Sequence, residues 1–252
     1  MLEVIELTKD YRKFRAVERL SFQVRPGEIV GLLGPNGAGK TSALRCIAGI
    51  LRPTEGQILI NGFDIERDHA KAKTGMAFVP ELPSLYELMT VDEHLKFIAM
   101  CYDTVDIYHE HGEELLRRYS LLEKKRELVA TLSKGMRQKL SVACAMVHRA
   151  RVLLFDEPII GVDPQGVYEI KQDLAQAKAA GCSVLVSTHL LDTAERLCDR
   201  VVILRKGHKI AEGTPDELRG QAHMEGASLE DVFMRLTAAQ EENEGDSAAP
   251  VS

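Results

Sequence analysis

Hydrophobic and polar residues alternate over residues 4–7 and 20–24, the period-two pattern of short, half-buried strands. Glu28–Leu33 differs. It is an almost continuous apolar run, as in a strand covered on both faces. Helical spacing follows over residues 40–50. A turn is then expected at Pro53-Thr54-Glu55-Gly56, a strand over residues 57–60, and a second turn at Asn61-Gly62. Past residue 90 the period becomes helical over Val91–Cys101, over residues 110–122, and from Ser133 to about His148. The block from about 85 to 150 therefore reads as a helical insert. After it, residues 152–155, 183–187 and 201–204 are short β-branched runs separated by helical patterns, which predicts a parallel sheet. Short helices are expected from Pro215 and over residues 229–236. From Glu241 the chain is acidic or small-sided, and disorder is expected. The main domain is read as residues 1–220, with 221–252 a short helix and an acidic tail.

Composition changes this picture little. The 252 residues are 45% hydrophobic and 28% charged, enough for a sizeable core under a polar surface. The formal net charge of −6 argues against non-specific binding to nucleic acid or anionic lipid. The five cysteines are odd in number and form no CxxC pair, so a disulfide framework or zinc site is not expected and reduced thiols fit better. No apolar run reaches the ~20 residues of a spanning helix, and the start of the chain does not read as a signal peptide.

Gly34-Pro35-Asn36-Gly37-Ala38-Gly39-Lys40-Thr41 has the spacing G-x-x-x-x-G-K-[ST] between a predicted strand and a predicted helix. Backbone N–H groups must curl around a phosphate there, and glycine permits that curl. The helix N-terminus faces the anion, Lys40 adds a full charge, and the Thr41 hydroxyl is placed to hold Mg²⁺. This loop serves several classes of nucleotide enzyme. The apolar run 152–155 ends in Asp156-Glu157. Asp156 is placed to hold Mg²⁺ through water, and Glu157 to act as general base for an attacking water. A strand ending in Asp-Glu is by itself most often a solvated turn; downstream of a phosphate loop that reading recedes. Leu132-Ser133-Lys134-Gly135-Met136-Arg137-Gln138 opens the last helix of the insert. Ser133 is a good N-cap, but a cap does not require Gly135. A serine hydroxyl, a bare glycine N–H and a helix N-terminus make a second anion site.

With that segment in place the sequence resembles the ATP-binding-cassette (ABC) family, over about residues 7–218. The resemblance implies an α/β P-loop NTPase fold: a parallel-sheet core, an N-terminal antiparallel β portion and an inserted α-helical subdomain. It implies ATP and Mg²⁺ as ligands. Ser133–Gln138 becomes the signature segment, contacting ATP held by a second copy. Ser133, Gly135 and Gln138 are then nucleotide-binding, with Ser42 beside the phosphate loop. Tyr11 stands where the family stacks an aromatic on adenine, Asp163 in the loop linking the two sites, and His189 as the switch histidine near the γ-phosphate. Glu81 occupies the place of a glutamine near Mg²⁺ and is counted as a metal-side and catalytic residue.

The sequence departs from the family pattern at Glu81, at Lys134 and Met136, at Ile159-Ile160 in place of hydroxyls, and at Ser42 in place of a frequent threonine. These changes, and Leu229-Glu230-Asp231-Val232-Phe233, resemble the exporter-type branch. The resemblance implies an ATP-hydrolysing transporter subunit that dimerises with ATP, most simply as a homodimer. It would drive a separate transmembrane permease from the cytoplasmic face of the cell membrane. The rival readings are a soluble ABC ATPase acting on DNA or ribosomes, disfavoured by the single cassette, the lack of a long coiled-coil insert and the acidic tail, and a regulatory ATP binder without turnover, disfavoured by Glu157 and His189.

Overall fold

The structure is a computed structural model describing residues 1–247, with side chains described to residue 238. Two antiparallel strands open the chain, β1 (Leu2–Tyr11) and β2 (Phe14–Val24). Both run several residues beyond the expected stretches, because pairing with the neighbour (Tyr11 opposite Phe14) holds their exposed tips and Thr8, Ala16 and Val17 are buried. Then come β3 (Glu28–Leu33), α1 (Lys40–Ile47), β4 (Glu55–Ile60), β5 (Phe63–Asp64), α2 (His69–Thr74) and β6 (Met76–Val79). α1 stops short of residue 50 because Gly49 takes φ +63°, the left-handed conformation that commonly ends a helix.

The insert contains α3 (Val91–Cys101), α4 (Val105–Arg118) and α5 (Lys134–His148). Thr90 and Glu93 form a reciprocal capping box that fixes the start of α3. α4 lies five residues earlier than its expected start, bounded by Asp103 and Ser120 at positive φ. The chain continues through β7 (Val152–Asp156), α6 (Pro164–Ala179), β8 (Ser183–Thr188), α7 (Leu191–Leu197), β9 (Arg200–Arg205), β10 (His208–Gly213), α8 (Pro215–Gln221) and α9 (Leu229–Ser247). α9 passes Glu241, where disorder was expected. Alanine, glutamine and glutamate are good helix formers and carry the helix on from its packed first turns. The rest of the expected disordered tail, residues 248–252, lies outside the described residues.

Two sheets result. The smaller has the order β2-β1-β4-β5 and is antiparallel; the larger has the order β10-β9-β3-β8-β7-β6. Its five strands β9, β3, β8, β7 and β6 are parallel, and β10 closes one edge antiparallel to β9. Successive residues of the parallel strands enter opposite cores. Leu153 and Phe155 pack with the insert helices and α6, whereas Val152 and Leu154 pack with α1 and the small sheet. Burial on both faces is why these strands read as continuous apolar runs. The carboxyl ends of β3, β7 and β8 come together, and the candidate chemistry lies on the loops leaving them.

Candidate active site

The turn from β3 into α1 encloses a cavity of about 520 Å³. Pro35 to Ser42, Glu81, Glu157 and His189 line it, together with Phe14, Ala16 and Ile160. Gly39 caps α1 at φ +105°, and a Cβ there would stand 2.3 Å from the carbonyl oxygen of Ala16. Only glycine meets both demands.

Lys40 is buried, and its ammonium donates to the Gly34 carbonyl at 2.7 Å and the Pro35 carbonyl at 3.3 Å. It also lies 3.7 Å from Oε1 of Glu157. Oε1 in turn accepts from Nδ1 of His189 at 2.9 Å. An ionised carboxylate only accepts, so Nδ1 carries the hydrogen in that contact. Oε2 of Glu157 is buried with no hydrogen-bond partner. The backbone of Glu157 takes φ +48°, an uncommon conformation for a residue with a Cβ. Its N–H donates to the Ser187 carbonyl at 3.1 Å and approaches the Ser187 hydroxyl at 3.3 Å, which holds it there. Glu157 lines the cavity, so the arrangement can bring its carboxylate to a water there.

Asp156 is buried one residue earlier. Its Oδ1 accepts from Ser187 Oγ at 2.5 Å and Thr41 Oγ1 at 3.4 Å. A hydroxyl and a carboxylate are hard oxygen donors of the type Mg²⁺ takes. Among the described residues no cluster of three or more His, Cys, Asp or Glu could cage a metal. Glu81 lines the same cavity and is exposed.

Tyr11 does not line the cavity; it is 41% exposed, its hydroxyl 3.5 Å from Oγ of the lining residue Ser42 and its ring 5.2 Å from the Lys9 ammonium. The exposed aromatic that does line the cavity is Phe14, which the sequence pattern did not single out. Ser187 was missed as well. The available signal was a small hydroxyl at the end of an otherwise apolar strand, two residues before His189.

Ser133, Gly135, Gln138 and Asp163 do not line the cavity. Ser133 caps α5, accepting from Met136 N–H at 3.3 Å. A Cβ on Gly135 would lie 2.6 Å from the Gly161 carbonyl oxygen, so α5 meets the loop after β7 at backbone distance. Lys139, buried on the next turn of α5, donates to Asp163 at 2.8 Å. That bond, then the Gly166 N–H, holds the Asp163 carboxyl below the usual carboxylate range. Gln138 is buried, its Nε2 3.4 Å from the Pro80 carbonyl and its Oε1 without a partner. The structure thus brings the phosphate loop, Asp156, Glu157, His189 and Glu81 together, with Tyr11 touching the group only through Ser42. The signature segment and Asp163 form a second group, joined to each other.

The sequence pattern of the ABC transporter family matches residues 17–160. The chain belongs to that family. This ABC protein is 37% identical over 238 residues to the ABC-type transporter ATP-binding protein EcsA of Bacillus subtilis (strain 168), covering 94% of this chain and 96% of the relative. It is 38% identical over 218 residues to the Nod factor export ATP-binding protein I of Paraburkholderia xenovorans (strain LB400), covering 86% of this chain and 72% of the relative. A solved ATP-binding subunit of an ABC transporter superposes with a TM-score of 0.91 at 38% identity, over 94% of this chain and 99% of that one. The chain is the ATP-binding, ATP-hydrolysing subunit of an ABC transporter, and its relatives are exporter-like. No helix among the described residues is long and apolar enough to cross a membrane.

Proposed function

We propose that this ABC subunit binds ATP with Mg²⁺ at the β3–α1 loop and closes on a second copy of itself. ATP hydrolysis then drives outward transport through a separate membrane permease, with the subunit held on the inner face of the membrane. The observation that carries this reading is the division of the chemistry. Lys40, Glu157 and His189 meet in one cavity, while Ser133 and Gly135 lie outside it on the same chain. A head-to-tail pair would bring the signature segment of one copy to the phosphate loop of the other.

In this reading Lys40 leaves the carbonyls of Gly34 and Pro35 for the phosphates, and Tyr11 stacks on the base. Thr41 and Asp156 hold Mg²⁺, which neutralises phosphate charge when bound. The Glu157 carboxylate takes the proton of the attacking water. His189, bonded to Oε1, keeps that carboxylate aimed. Export is favoured by the Nod factor export relative and by the sequence features shared with exporters. The test is Glu157→Gln, which keeps shape and removes the base. Turnover should fall about 10²–10⁴-fold, and light scattering with Mg-ATP should show a stable dimer. A monomer turning over near the wild-type rate would overturn the assignment.

A further inference from the structure

On the opposite side of the large sheet from α1, a cavity of about 590 Å³ opens between the end of α5 and α6. Its floor is apolar, with Leu115, Met146, Leu153 and Ala177. Three arginines stand around it, Arg118, Arg149 and Arg151, with Asp173 as the one acidic side chain in the lining. Asp173 is buried and already bound by the Arg118 guanidinium and the Tyr119 hydroxyl. Arg118 also donates to Glu114 at 3.0 Å. Its charge is spent within the chain.

Arg149 and Arg151 are not. Both are exposed, and neither guanidinium has a hydrogen-bond or ion-pair partner among the described residues. They flank Ala150, which is 4% exposed and anchors the α5–β7 turn in the core. Arg149 sits at the end of α5 with φ +53° and ψ +33°. The negative end of the α5 dipole accounts for one basic residue at that place. It does not account for a second one across the turn on the rim of the same cavity. A smaller cavity of about 280 Å³ shares Leu115, Met146, Arg118 and Arg149 and extends the space toward Ile107 and His111.

An open cavity of this size, part apolar and part lined by cationic donors, has the form of a small-molecule site. Guanidinium forks match the paired oxygens of carboxylates and phosphates. We propose that this cavity is a second ligand site, separate from the ATP cavity. It takes an amphipathic anion, a carboxylate or phosphate monoester held by Arg149 and Arg151 on a compact apolar body that covers the floor. The ligand would bridge the far ends of α5 and α6, the two helices whose first residues carry the Ser133 and Asp163 contacts.

The experiment titrates octyl phosphate, below its micellar concentration, into the whole protein saturated with a non-hydrolysable ATP analogue, so that the phosphate loop is blocked. Inorganic phosphate and octanol are the comparison probes, each carrying half of the required chemistry. Octyl phosphate should bind at least about tenfold more tightly than either. The double variant Arg149→Gln, Arg151→Gln should lose about tenfold or more of that affinity while its melting temperature and ATP affinity stay unchanged. Hydrogen exchange on the wild type should show new protection confined to about residues 145–151 and 173–182. No binding at ~1 mM, equal affinity in the double variant, or protection located at the phosphate loop would each overturn the proposal. Micelle-dependent binding would place the source in lipid assemblies, outside the cavity, and would overturn it too.

Discussion

The phosphate-loop cavity and the signature segment sit in one chain in opposite conditions. In the first, polar groups are committed to each other: Lys40 to two carbonyls and Glu157, Glu157 to His189, Asp156 to Ser187 and Thr41. In the second, the Ser133 oxygen only caps its own helix, and the buried Oε1 of Gln138 has no partner. A site that must hold a substrate in fixed geometry is organised in advance. A surface that works only against a second copy keeps its capacity in reserve, and each half leaves one buried acceptor unpaired, Oε2 of Glu157 in the first and Oε1 of Gln138 in the second.

Lys40→Ala should break the organised half most completely. It removes the ammonium and leaves Glu157 buried beside an empty volume, and nucleotide affinity should fall about 100-fold or more. Fluorescence titration with an ATP analogue checks this, and affinity within a few-fold of wild type would count against the loop assignment. His189→Ala should act on turnover alone. Losing one hydrogen bond to a charged group should slow phosphate release about 20-fold and leave ATP binding intact. A wild-type rate would make His189 an ordinary exposed residue.

Gly135→Ala sharpens the comparison, because it touches the reserved half only. The new methyl meets the Gly161 carbonyl oxygen at 2.6 Å, so α5 and the loop must part. Overpacking of this kind should weaken ATP-dependent dimerisation about tenfold, read by light scattering in a Glu157→Gln background. ATP affinity of the monomer should not move, and if it does the two halves are not separable. The smallest effect is expected at Glu81. It is exposed, so water screens its charge from the phosphates. Glu81→Gln should leave ATP affinity equal or up to about threefold tighter, while lowering transport per ATP hydrolysed in the assembled transporter. Unchanged values for both would make Glu81 a solvated loop carboxylate with no part in coupling.

Much of this was legible because the chemistry is local in sequence. The phosphate loop is eight consecutive residues, Asp156 and Glu157 end an apolar run, and α3 follows its periodicity from end to end. Elements without a period were not legible. β6 has four residues and β5 two, too short for alternation to register. The boundaries of α4 depend on Asp103 and Ser120 at positive φ, which residue type does not announce. The Lys139–Asp163 pair and the approach of Gly135 to Gly161 join residues more than twenty positions apart through packing alone. Phe14 escaped notice because an exposed aromatic at a hairpin carries no spacing signal.

The central place of β3 has a consequence for how the protein is made. Within the large sheet β3 bonds only to β8 and β9, and its Ile29 N–H finds Asp199, 170 residues downstream. During synthesis at ~5–20 residues per second, β3 therefore waits about 10–30 s for the strands that flank it. In that interval the phosphate loop has no sheet to spring from, and an apolar strand stands unpaired. A nascent chain halted before β8 should bind no ATP, although every residue of the loop has long left the ribosome. The nucleotide-binding end of the molecule is among the first parts translated and among the last to fold.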